Sequence, residues 1–329
     1  MTEPERVVAE PAEAAAASPR SKVIRRLARG AFLVVALTAC GLVIWRTRDD
    51  FLAALAEVSP GAMVLAFGAV VVGGIVPMFA WRVLIDDLGS HVPLGASARI
   101  YFVSQLGKYI PGSVWSVVAQ VELAREYRVP VRRSGAVALL TIITAAVSAV
   151  LVVTVTLPFS SDELRQDYWW VVLLLPPMLV LLHPAAIRWW SSRLLRLARR
   201  SAEPLEVSGA ALTKSVAWMV VAWLFYGAQA FVLVDDAAAP GTPVGVPVLL
   251  QCMGIFALAW VAGLLFVIVP AGAGVREVIL VVGLASVLPS GAALVVALLS
   301  RVLLTVTDLL LAGSAVLAYR IRGSQAPVA

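Results

Sequence analysis

The stretch from Gln105 to Gln120 reads QLGKYIPGSVWSVVAQ, and it sets a lysine, two glycines, a proline and several amide and hydroxyl side chains into a chain that is 61% hydrophobic. Pro111 and Gly112 end any helix that reaches them, the proline because it lacks a backbone donor and the glycine because it permits a sharp turn. On the incoming side Ser97, Tyr101, Ser104, Gln105 and Lys108 recur at helical intervals, and Ser113, Ser116 and Gln120 do so on the outgoing side. Each half therefore reads as a short helix with one polar stripe beside an apolar face. At membrane depth such an irregular segment survives only where protein or a water-filled cavity satisfies its polar groups. The stretch predicts a broken helical hairpin inside a membrane bundle.

The rest of the sequence fits that setting. With 329 residues, only 14% of them charged, and a mean hydropathy of +0.93, the chain is too apolar to hide its hydrophobic surface in a water-soluble core. Several windows approach the roughly 20 apolar residues that cross a bilayer as a helix, and none shows the two-residue period of a barrel strand. Spans are expected near residues 31–45, 61–81, 134–159, 168–187, 214–234 and 246–269, followed by a short helix near 276–288 and a long one near 291–319. The fold class is thus all-α: a polytopic integral membrane helix bundle of about eight transmembrane helices, a re-entrant helical hairpin and a second broken-helix segment. Residues 1–28, rich in Ala, Glu and Pro at their start, are expected to form a disordered cytosolic tail, and residues 29–329 the membrane domain.

Charge sets the orientation. Lys22, Arg25, Arg26 and Arg29 precede the first span, whereas SSDELRQD (160–167) and DDAAAPGTPVG (235–245) are acidic or neutral. RWWSSRLLRLARR (188–200), REYRVPVRR (125–133) and the terminal Arg320 and Arg322 are basic. The positive-inside rule then places both termini in the cytoplasm, with a plasma-membrane location, and makes residues 97–124 enter and leave on the cytosolic side. The net charge of +6 is scattered over short connectors, which suits lipid headgroups and not nucleic acid. Cys40 and Cys252 lie in apolar runs and are expected as buried free thiols.

A second interruption, VIVPAGAGVREVIL (267–280), again puts a proline and glycines before a new helix, now with Arg276 and Glu277 at its start. Paired broken helices in the two halves of a transporter point to a central substrate site. A helix that starts inside the membrane aims unpaired amides at whatever fills the break, and Lys108 and Arg276 add full positive charges. Together these describe an anion site, and the anion abundant at a bilayer surface is a lipid phosphate. The alternative for Arg276 is that it merely neutralises Glu277. Arg301, Thr305 and Asp308 share one face of the last helix, which should look into the bundle to serve either substrate or helix packing. Trp218, Tyr226 and Gln229 form a comparable face, read as helix packing.

At LGKYIPG (Gly107, Lys108, Pro111, Gly112) and PAGAGVRE (Pro270, Gly272, Gly274, Glu277) the chain resembles the lysylphosphatidylglycerol synthase transmembrane region family, also described as flippase-like. The resemblance implies a domain that moves a lipid or lipid-linked headgroup between leaflets. In the best-known members that lipid is aminoacylated phosphatidylglycerol, and a soluble aminoacyl-transferase domain follows the membrane part. The chain is expected to be a membrane module without that domain.

The leading expectation is therefore a lipid translocase. Lys108 and Arg276 would hold the phosphate, Glu277 and Asp308 would counter an amine or carry a proton, and Gln105, Gly107, Pro111, Gly112, Ser113, Ser116, Gln120, Pro270, Gly272, Gly274 and Arg301 would complete the site. No GxxxxGK[ST] stretch occurs, so no nucleotide engine and no cofactor are expected. The partners are membrane lipids with an anionic phosphate headgroup; a separately encoded lipid-modifying enzyme and a homo-oligomer are compatible with the reading. The alternatives are an intramembrane transferase acting on a lipid-linked donor, for which Asp86 and Asp87 are the one paired acidic candidate for a metal, and a non-transporting scaffold. In the topology deduced here, a reporter cysteine within residues 160–167 is labelled by an impermeant reagent on intact cells, and one within 191–201 only after permeabilisation. The opposite pattern inverts the topology.

Overall fold

The computed structural model describes residues 58–110, 114–197, 205–265 and 272–323, all of them within the compact unit Arg48–Ala329. The N-terminal tail and the span expected at residues 31–45 lie outside the described residues. In chain order the helices are α1 (Pro60–Asp87), α2 (Leu94–Gln105), a 3-10 turn (Leu106–Tyr109), α3 (Trp115–Arg125), α4 (Val131–Thr156), α5 (Asp162–Tyr168), α6 (Leu175–Leu182), α7 (Pro184–Leu197), α8 (Gly209–Ala237), α9 (Val246–Leu265), α10 (Val275–Leu284) and α11 (Ser290–Gly323). Among the described residues there is no strand.

Five of these helices, α1, α4, α8, α9 and α11, are long and apolar enough to cross a bilayer, and one bent pair would make a sixth. Two of the eight expected spans differ in form from the sequence reading. Residues 276–288 give α10, whose 10 residues rise about 15 Å and cannot cross a core of about 30 Å alone. Residues 168–187 form a 3-10 segment (Trp169–Leu174), then α6, then a 72° bend into α7. Prolines are the cause: Pro176 and Pro177 remove two backbone donors at the start of α6, and Pro184 forces His183 into an extended conformation (φ −64°, ψ 136°) that ends it.

The most apolar window of α4 is 78% buried against 39% for α1, α8 and α11, so α4 is the central post and the others offer a face to lipid. Its buried side chains include Ala138, Ala145, Ala149 and Ser148, which let neighbours approach closely. Thr141, Thr144 and Ser148 return their hydroxyls to backbone carbonyls of their own helix, and Ser148 also accepts from the Trp223 indole at 2.9 Å.

Helices α1 and α8 pack antiparallel and are clamped at both ends by the same device. The Ser59 side chain caps α1 by accepting from the Ala62 amide, while the Ser59 amide and hydroxyl donate to the Asp236 carboxylate near the end of α8 at 2.8 and 2.6 Å. Ser208 caps α8 by accepting from the Ala211 amide, and its amide and hydroxyl donate to Asp87 at the end of α1, also at 2.8 and 2.6 Å. Ser59 precedes Asp87 by the same number of residues as Ser208 precedes Asp236, in LIDD and LVDD respectively. From each clamped helix the chain continues in one order: a helix, a break, a short helix and a long helix, giving α2, α3 and α4 in the first half and α9, α10 and α11 in the second. The two halves thus repeat one order of elements behind antiparallel first helices, with α5 to α7 between them. Asp87, which the sequence offered as a metal ligand, is thus occupied in joining the halves, and Asp86 faces Arg82 at 3.7 Å.

Helices α2 and α3 pack side by side as the expected hairpin, and neither is long enough to span. Arg99 in α2 donates to Glu126 just past α3 and lies over the Tyr319 ring, which closes the open end of the hairpin. At the other end Gly107 lies against the first residues of α3: a β-carbon there would sit 2.5 Å from the Ser116 amide nitrogen and 2.6 Å from the Trp115 carbonyl carbon. Only glycine fits. Gly107→Ala is expected to lower the thermal midpoint of the detergent-purified protein, because overpacking against backbone costs about 1–3 kcal/mol. Gly61→Ala, which meets nothing within 4 Å, should leave the midpoint in place.

Candidate functional site

The two breaks meet. The 3-10 turn after α2 carries Lys108 and Tyr109 to the middle of α11, where the Lys108 ammonium lies 2.7 Å from the Asp308 carboxylate and the Tyr109 hydroxyl donates to the same oxygen at 2.5 Å. Asp308 is a part-buried carboxylate in an apolar helix, and these two donors are what allow it to stay there. One helical turn back, Thr305 donates to the Arg301 carbonyl, and two turns back Arg301 itself pairs with Glu277 at the start of α10. The face of α11 predicted from spacing therefore does look inward, with a partner from each break on it.

The second break is built by glycine. Gly272 and Gly274 have φ of +69° and +83°, a region that side chains strain to enter. Gly272 lies against Gly263 of α9, where a β-carbon on either residue would meet the other's α-carbon or the Arg276 side chain at 2.8–3.3 Å. The Gly274 amide, first of the unpaired donors of α10, gives its proton to Glu277 at 2.5 Å. Glu277 thus holds both the start of its helix and Arg301.

Arg276 is then left over. The alternative in which Arg276 neutralises Glu277 does not hold, since that carboxylate pairs with Arg301. The Arg276 Nε is buried and has no hydrogen-bond partner, and no ion pair of Arg276 occurs among the described residues. A guanidinium in this state is costly and calls for an anion.

Lys108 and Arg276 line the same two recesses. The smaller encloses about 680 Å³, mouth included, and holds the paired charges Lys108, Asp308, Arg301 and Glu277 together with Arg276. Three cations face two carboxylates there, leaving one positive charge in surplus. The larger, about 1200 Å³ with its mouth, is walled by Gln105, Ser116, Gln120 and Thr141 on one side and by Tyr226, Trp260 and Arg276 on another. Of the residues anticipated from sequence, Gln105, Lys108, Ser116, Gln120, Gly272, Arg276, Glu277, Arg301 and Asp308 line these two recesses, and Gly107 and Gly274 shape the turns. Pro111, Gly112, Ser113 and Pro270 lie outside the described residues.

Several residues of the site escaped the sequence reading. Tyr226 lines both recesses and stacks on Phe256, although its spacing with Gln229 suggested packing alone. Gln229 does pack: it donates to Ser300 at 2.7 Å. Trp218 stacks on Phe79. Trp260, Thr141 and Gly263 sit in unbroken apolar runs and carried no signal, whereas Tyr109, next to Lys108, could have been found from its place in the break.

Comparison with known proteins agrees with this architecture. Residues 30–312 match the family described as the lysylphosphatidylglycerol synthase TM region, a stretch that takes in both breaks and both clamps. A search of curated proteins finds no match. Apolar helices of spanning length, the two breaks and a match over most of its length together make the chain a multi-pass membrane protein that belongs to the lysylphosphatidylglycerol synthase transmembrane region family.

Proposed function

We propose that the protein is a lipid translocase of the plasma membrane, with both termini cytoplasmic, which passes an anionic phosphate headgroup through the recess between its two broken helices while the acyl tails stay in the bilayer. The family match supports a membrane role connected with lipids. The observation that carries the finer reading is the unpaired Arg276 guanidinium, set beside Lys108 in a recess whose charges sum to a surplus of one cation. A monoanionic phosphodiester neutralises that surplus. In this scheme Arg276 is the first contact, since it breaks no bond of the protein to bind. Lys108 joins by turning from Asp308, which keeps its hydrogen bond from Tyr109. Arg301 and Glu277 hold the mouth of the second break in shape and are positioning residues.

Leaflet transfer of fluorescent phospholipid in vesicles containing equal amounts of folded protein tests the scheme. A charge-assisted contact to phosphate is worth about 1.5–3 kcal/mol, or roughly one to two factors of ten. Arg276→Gln should slow transfer by about ten- to a hundredfold with no loss of thermal stability, because among the described residues Arg276 holds no ion-pair partner. Lys108→Ala should slow transfer and also lower stability, because Asp308 loses its cation; Lys108→Arg should be milder. Parental transfer rates in both Arg276→Gln and Lys108→Ala would falsify the anion-site mechanism.

A further inference from the structure

Helix α7 stands between the two halves, outside the order of elements that they share. The helix before it faces lipid: Leu179, Val180 and Leu181 of α6 are 51%, 67% and 45% exposed. The chain then bends by 72° at His183, and the outward side chains become Arg188, Trp189 and Arg193. Aliphatic groups belong in the hydrocarbon, whereas arginine and tryptophan collect at headgroup depth, so this change of polarity marks the membrane boundary. A helix turned so far from a segment that runs through the bilayer lies along its surface. We infer that the outer face of α7 is a second lipid site, separate from the recess between the broken helices, which takes anionic headgroups of the membrane surface on Arg188 and Arg193 with Trp189 seated among them. Such a site exists whether or not the recess carries lipid across.

The inner face of α7 belongs to the fold. Ile187 is 1% exposed and shares a core cluster with Val207 and Leu212, and the Ser191 hydroxyl accepts from the Leu205 amide at 3.2 Å. These contacts carry the start of α8, where Ser208 reaches across to Asp87 and joins the halves. The outer face is not used in this way. Trp189 is 62% exposed, and among the described residues neither Arg188 nor Arg193 forms an ion pair. The Arg193 guanidinium lies 5.3 Å from the centre of the Trp189 ring, one helical turn away, which keeps the cation beside the ring that anchors it at the interface. The stretch 188–200 holds five arginines and no acidic residue, so its charge is of one sign. An acidic protein surface would also match that charge. It would not match the aliphatic face of α6 one bend away, whereas a bilayer offers hydrocarbon and anionic headgroups in that order. With its inner face docked and its outer face bound, α7 is held more firmly by an anionic bilayer than by a neutral one, and the start of α8 with it.

Hydrogen exchange across residues 184–197 reads the site, with the full chain held in nanodiscs of phosphatidylcholine alone or of phosphatidylcholine mixed with phosphatidylserine. The anionic discs should slow exchange about fivefold for each arginine, and so about twenty-five-fold for the pair, and added salt should shrink the difference. With Arg188→Gln and Arg193→Gln combined, exchange should match the neutral-disc rate in both discs. Arg188→Lys with Arg193→Lys should keep most of the protection, because the surface reads charge. Both arginines are exposed, so the thermal midpoint of the glutamine variant in neutral discs should equal that of the parent. Arg276→Gln should retain the full lipid effect; its loss there would place the anion in the recess and overturn the inference. Equal exchange of the parent in the two discs overturns it as well, as does a difference that survives the double glutamine variant. If soluble polyglutamate protects α7 in neutral discs as strongly as phosphatidylserine does in mixed ones, the face docks an acidic protein and the lipid assignment falls.

Discussion

A bilayer interior supplies no water to the ends of a broken helix or to a charge on its side, so each must be met by the protein. That constraint organises the molecule. The first break is held by the pairing of Lys108 and Tyr109 with Asp308, and the second by Glu277, which accepts from the Gly274 amide and from Arg301. Both sets of bonds end on α11, so one long helix serves as the common anchor for two interruptions that are far apart in the chain. Glycine makes the approach possible at each: Gly107 against the start of α3, and Gly272 against Gly263.

Once the pairs are made, the residue without a partner stands out. Arg276 lies between the two recesses with its Nε buried and unbonded, and its charge is the surplus of the group. In a site whose other cations each face a carboxylate among the described residues, this exception is the feature on which the proposed anion site rests. Ion pairs buried in a membrane add little net stability, because desolvation opposes the Coulombic gain. An unpaired cation beside a cavity costs more, because among the described residues no ion pair or hydrogen bond to its Nε offsets its burial.

The reciprocal clamps explain how two such breaks come to face each other. Ser59 with Asp236 and Ser208 with Asp87 hold α1 and α8 antiparallel, and each half then leads its broken segment back towards the other. The motif is short and its two copies share little beyond a serine before the helix and a pair of aspartates at its end, so it reads from sequence as two ordinary helix caps. The carboxylates accept both the amide and the hydroxyl of the opposing serine, which turns a local capping signal into a link between halves.

Much of the architecture was legible in one dimension, because the bilayer imposes length and polarity rules that act locally. Apolar windows located the long helices, and Pro111, Gly112 and the glycines around Gly272 marked the interruptions. The helical spacing of Arg301 and Asp308 identified the inward face of α11. The bend at His183 was less legible, since proline placement and not hydropathy decided it. Pairing was not legible at all. Sequence named Lys108, Arg276, Glu277, Arg301 and Asp308 as charges near a site, but left open whether Arg276 faces a ligand or neutralises its neighbour Glu277. In the fold Glu277 turns to Arg301 and Asp308 to Lys108, across distances in the chain that no local pattern encodes. Sequence alone determined that the protein is a membrane helix bundle with two polar interruptions, since helix formation in lipid depends on residues within one turn of each other. Which cation lacks a partner, and that Gln120 and Arg276 border one chamber, was decided only by tertiary packing, because a charge is neutralised by whatever the fold brings within a few ångströms of it.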